Sequence, residues 1–154
     1  MTARSGVAVA IVLTLICAWL LAYRQLRSGP TQIYQIAGGY RGWVIFTWGN
    51  ASCRPHGSWS SAETFEVAPS GRGCTSDPAD SDWHATVYEY TWPSGAARQL
   101  PQTVSGGGGL IWAESFHPKQ ANRTFACEVF FVGTEKELQG SWATEPQPGV
   151  NTAC

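Results

Sequence analysis

Four groups of residues have types and spacings that suggest chemistry. His84 follows Asp80, Asp82 and Trp83, with Asp77 just upstream. A histidine beside a carboxylate is the pairing a general base needs, and clustered aspartates offer the hard oxygens calcium takes. The aspartate spacing is not that of an EF-hand and the central glycine is missing, so a solvated acidic loop, where Asp serves turns, is the preferred reading. His56, His84 and His117 form a second group. A zinc or copper site would require their three loops to converge, and nothing in the spacing favours that. Ser58, in His56-Gly57-Ser58-Trp59, is a lone nucleophile without a G-x-S-x-G elbow around it. The four consecutive glycines at 106–109 are followed by no Lys-Ser/Thr pair and open no helix, so they are not a phosphate loop. No catalytic residue, metal ligand or cofactor is assigned. A small hydrolase using His84 with Asp82 is kept as the alternative.

The aromatic residues are the richer signal. Trp59, Trp83 and Trp142 lie in or beside loops, where an indole can stack on a sugar face or fill a partner's pocket. These three are the candidate contacts for a partner protein or glycan. Trp43, Trp48, Trp92 and Trp112 fall on strand patterns and are expected in the core or at its rim.

The elements that must position these residues begin with residues 7–23, VAVAIVLTLICAWLLAY, a run without charge, Pro or Gly. As a helix it would reach roughly 25 Å, the short end of a bilayer span. Tyr23, Arg24 and Arg27 suit a membrane interface. The run reads as a retained single-pass anchor. Cleavage after Ala18 or Ala22 would place Ile16 or Leu20 at the −3 position, a poor fit to a signal peptide. Lipidation of Cys17 is disfavoured by the bulky Ile16 before it. The domain plan is an anchor at 1–27, a linker at 28–31, a β domain at 32–140 and a Pro/Gly-rich tail at 141–154.

Past residue 27 the chain holds seven Lys/Arg against eleven Asp/Glu, a net of −4. Without a basic patch, nucleic acid is not an expected partner. Cys53, Cys74, Cys127 and Cys154 are even in number, widely spaced and free of CxxC, which reads as two disulfides in an oxidising compartment. Of three pairings, Cys53–Cys74 and Cys127–Cys154 are preferred, because each joins segments flanking neighbouring strands. The β domain is therefore placed on the periplasmic or extracellular side of the inner or plasma membrane.

The strongest β signal is WVIFTW at 43–48, apolar on both faces and so a central buried strand. Residues 32–36, 63–67, 85–92, 110–114 and 123–132 read as further strands, with 98–104 a weak edge interrupted by Pro101. Residues 49–62 and 69–82 read as loops. Thr134 with Glu137 three residues on is a capping box for a short helix. About seven strands and no amphipathic helix after the anchor predict an all-β, antiparallel sandwich of the immunoglobulin or transthyretin kind, with a small β-barrel as alternative.

Two stretches, Gly39-Tyr40-Arg41-Gly42-Trp43-Val44 and Phe130-Phe131-Val132-Gly133-Thr134-Glu135, bracket the core. With the Cys53-Arg54-Pro55 loop, the Ser70-Gly71 turn before Thr75-Ser76, and Ile111-Trp112 between, they resemble a family of small bacterial membrane-anchored or secreted domains of unknown function. The resemblance covers residues 34–137. It implies a bacterial envelope protein with a small β domain and supplies no catalytic residue. The expected function is a membrane-tethered, non-catalytic binding domain, with a disulfide-stabilised structural spacer as a further alternative.

Overall fold

The computed structural model describes Thr14, Ile16, Ala18 and Trp19, then residues 30–59, 62–79, 84–102, 109–119 and 125–146. The expected anchor at 7–23 lies outside the described residues, except for those first four, which are helical. No helix among the described residues is long and apolar enough to cross a membrane.

Among the described residues nine strands follow: β1 Thr31–Ala37, β2 Gly42–Trp48, β3 Gly57–Trp59, β4 Ala62–Val67, β5 Arg72–Cys74, β6 Thr86–Thr91, β7 Ala97–Gln99, β8 Ile111–His117 and β9 Ala126–Val132. A helix, α1 (Glu135–Ser141), and a 3-10 turn, Trp142–Thr144, complete the described chain. The capping box is present: the Thr134 hydroxyl accepts from the Glu137 backbone N–H while the Glu137 carboxylate accepts from the Thr134 N–H.

The strands form one sheet in the order β7-β6-β1-β4-β5-β2-β9-β8, with β3 pairing β4 from off that path. The all-β class holds, but the antiparallel sandwich does not. Among the described residues there is no second sheet, and the single sheet is mixed. β1 runs parallel to both its neighbours, β4 and β6, and β2 runs parallel to β5. The turn at Gly38-Gly39 therefore closes no hairpin, because β4 and β5 stand between β1 and β2.

Curling of the sheet replaces the missing second layer. β1 alternates, with Gln32, Tyr34 and Ile36 buried and the residues between them half-exposed. In register beside Tyr34 lie Phe65 on β4 and Tyr88 on β6, and the Tyr34 ring sits 5.3 Å from each. Tyr34 also reaches Phe46 on β2 at 5.3 Å and Phe130 on β9 at 5.5 Å, neither strand adjacent to β1 in the sheet. Only a half-barrel brings these rings together. Aromatic side chains are long enough to fill it from both walls, so no facing sheet is needed. Gln102, beyond β7, bridges Ile111 on β8, which draws the two ends of the sheet toward each other.

The outer face of β2 and β9 carries a smaller cluster of Ile45, Cys127 and Val129 with Trp43 packed on it. Trp43 meets Phe131 at 5.3 Å and Trp142 at 5.8 Å, and its indole N–H donates to the Ser141 carbonyl. This seats α1 and the turn after it on the outer face of the sheet.

Candidate functional site

The outer face of β6, β1, β4, β5 and β2 forms a trough of about 780 Å³. Its floor follows from register. Glu89 on β6, Gln35 on β1 and Glu66 on β4 stand at one level across three strands, each opposite in parity to the buried aromatic beside it. The Gln35 amide donates to the Glu89 carboxylate at 3.1 Å. Gln35 and Glu66 line the trough directly, with Ala37 and Gly73 beside them. A Cβ on Gly73 would fall 2.5 Å from the Phe46 ring and 2.7 Å from the Glu66 carbonyl, so no side chain can stand there.

The β6 end of the trough is closed by Trp92 and Pro93. Trp92 is 38% exposed and rests on Gly38, where a Cβ would lie 2.2 Å from its Nε1. The other end is closed by Asn50, Arg54 and Arg72. Two cross-links fix that wall. Cys53–Cys74 is a disulfide, as its spacing led one to expect. Beside it, His56 Nδ1 lies 2.8 Å from Asp77 Oδ2, which also accepts from the His56 N–H at 2.7 Å and from the Thr75 hydroxyl at 2.6 Å. These donors, the Thr75 hydroxyl foremost, hold the Asp77 carboxyl below its ordinary range. The other ring nitrogen of His56 faces Glu63 at 3.6 Å. The Asp–His pair thus leads to a second carboxylate, not to a nucleophile, and acts as a brace between loops.

A second polar cluster lies inside the half-barrel. Glu128 on β9 is buried and accepts from the Tyr34 hydroxyl, with the Tyr88 hydroxyl 3.4 Å from its other oxygen. Burial is the main reason its carboxyl is pushed up to about 7, and the nearby Glu114 adds to the shift. Glu114 comes from a β-bulge. Trp112 pairs with Phe131 and Ser115 with Val129, so β8 spends one residue more than β9 between those pairs, and Ala113 takes φ +52°. The extra residue turns Glu114 toward Tyr88 and Glu128. Burial and these two carboxylates push the Tyr34 and Tyr88 hydroxyls well above their ordinary values, so both stay protonated as donors.

The residues singled out in the sequence are dispersed. His84 has Nδ1 3.1 Å from the Pro30 carbonyl and is half-buried beside the start of β1. Its expected partner Asp82 lies outside the described residues, as do Asp80 and Trp83; the side chain of Trp59 is likewise not described. His117 lies on β8, where Nε2 meets the Ser115 hydroxyl at 3.2 Å. Trp142 is 48% exposed on the turn after α1, remote in sequence from the trough wall. Cys127 is fully buried and disulfide-bonded, and its expected partner Cys154 lies outside the described residues. Among the described residues no group of three or more His, Cys, Asp or Glu is placed to hold a metal. Sequence reasoning missed the trough because its polar floor exists only once β6, β1 and β4 are known to run parallel. For Glu128 a signal was present: it is the one carboxylate in an otherwise apolar strand run, ACEVFFV.

No family model matches the chain, and no curated protein matches it. Among solved structures, a crystal structure titled a "putative lipoprotein" from Bacillus anthracis is similar over 80% of this chain and 84% of that one, with a TM-score of 0.56 and 14% identity. At that identity the likeness shows a shared fold.

Proposed function

We propose that this chain is a membrane-tethered domain of the bacterial cell envelope that binds a partner and does not transform it. The observation that carries the reading is the trough. It has a polar floor set by strand register, an aromatic end and a cationic end, and walls held by a disulfide and by Asp77 with His56. A rigid, mixed-polarity groove of this kind fits recognition. The polar groups away from the trough point the same way. Glu128 is enclosed by the Tyr34 and Tyr88 hydroxyls, and His56 is held between two carboxylates. The apolar run at 7–23, the disulfide and the fold shared with a protein titled as a lipoprotein support the envelope setting.

The test is direct. The full chain, immobilised in detergent, is offered labelled envelope separated into polysaccharide and extracted-protein fractions. One fraction is expected to be retained above a heat-denatured control and competed by free protein, with Trp92→Ala reducing retention. Equal retention on native and denatured protein for every fraction would remove the binding reading.

A further inference from the structure

The trough has a charge pattern that its ligand must match. Beyond residue 27 the chain has seven cations against eleven anions. Arg54 and Arg72 share one trough, with Glu66 on its lining and Glu89 at the far end of the same floor row. Both arginines are exposed, and among the described residues no ion pair engages either. Two unpaired guanidinium groups on an acidic domain form a receptor for planar anions, each offering a fork of parallel N–H donors.

The remainder of the trough suits a sugar chain. Trp92 and Pro93 supply a flat apolar end for a ring to rest on. Between that end and the arginines, Glu89, Gln35 and Glu66 cross three strands, and neighbouring strands lie about 4.8 Å apart. Planar amide and carboxylate groups at that interval can each bridge adjacent hydroxyls along a strand of sugars. An extended peptide would bind a sheet by adding to a free edge, but the trough lies on the face of interior strands, where backbone groups are already paired.

We propose that the trough binds an anionic glycan, with sugar rings along the Gln35–Glu66 row and against Trp92 and with acid groups on Arg54 and Arg72. This rests on the binding-domain reading and names its ligand class.

The experiment uses the full chain in a polyoxyethylene detergent, since alkyl-glycoside detergents would compete. It is titrated calorimetrically with an oligogalacturonate and with a neutral gluco-oligosaccharide of the same length. The acidic chain is expected to bind at least about tenfold more tightly than the neutral one, and R54Q/R72Q to remove that preference without moving the melting curve. Trp92→Ala should weaken both sugars. Absence of binding by the acidic chain, or an affinity that R54Q/R72Q leaves intact, overturns the proposal. Equal binding of polyaspartate overturns it as well, since that reports charge without sugar recognition. If R54Q/R72Q still retains the same envelope fraction as the native protein, the glycan assignment falls and the binding-domain reading stands. If the native protein retains no fraction, the binding-domain reading is the one that fails.

Discussion

Glu128 makes the stability of this domain fall as pH rises through neutrality, the reverse of what a salt-bridged acid does. The residue is 8% exposed, and its carboxyl is pushed up to about 7 from 4.5, first by burial. In the unfolded chain the same group ionises near its ordinary value. Between the two values the unfolded state has released a proton that the folded state still holds, so each step up in pH favours unfolding. The contribution is complete below about pH 4 and gone above about pH 8. At about 1.4 kcal/mol per pH unit the full span is about 3 kcal/mol, of which about 2–3 kcal/mol falls between pH 5 and pH 8. Urea unfolding at those two pH values, followed by tryptophan fluorescence, reads the difference. In Glu128→Gln the amide oxygen can still accept from Tyr34 but cannot ionise, so its stability should change less than the native protein's by that amount. Asp77 and Glu137, both held below their ordinary range, act at the acid end, where stability is lost as pH falls through their folded values. Glu114→Gln removes a neighbouring charge that raises Glu128, so the window should narrow. Parallel pH profiles for native protein and Glu128→Gln from pH 5 to pH 8 would refute the reasoning.

Two other outcomes follow from the loops that bound the trough. Replacing Cys53 and Cys74 with Ser opens a link across 21 residues and should lower stability by about 3 kcal/mol in urea titration; a loss below about 1 kcal/mol would mean that Asp77 with His56 alone holds the wall. Gly49 and Gly71 share a left-handed backbone, φ +74° and +76°, but differ in surroundings. Gly49→Ala meets nothing within 4 Å and should cost about 1–2 kcal/mol, the conformational penalty alone. Gly71→Ala would place a Cβ 1.9 Å from the Tyr40 hydroxyl and 2.6 Å from the Trp43 carbonyl, adding about 1–3 kcal/mol of overpacking. Equal melting shifts for the two variants would contradict that contact.

What the sequence made legible was local, and what it hid was pairing. Residues 43–48 announced a central strand because both faces are apolar, and β2 is buried against the curled interior on one side and the Trp43 cluster on the other. Thr134 and Glu137 announced a helix start, since a capping box needs only its own four residues. Cys53 with Cys74 announced a cross-link between two loops. By contrast, alternation on residues 32–36 and 63–67 shows only that one face is buried. It does not say whether the covering layer is a second sheet or the far wall of the same one. That choice rests on the reach of Tyr34, Phe46, Phe65, Tyr88 and Phe130, which interlock across a half-barrel at 4.7 to 5.5 Å. Trp43, expected in the core or at its rim, caps the outer cluster and is half-buried. β5, Arg72-Gly73-Cys74, has no strand propensity of its own; Gly73 fits there because its missing side chain lets Phe46 and the β4 backbone close in. The trough inherits this dependence. Gln35, Glu66 and Glu89 are ordinary solvent-facing residues on three separate strands until the parallel register sets them side by side. A row built by long-range pairing leaves no local trace, whereas Asp82 and His84, two positions apart in the chain, stand out in the sequence without any fold to join them.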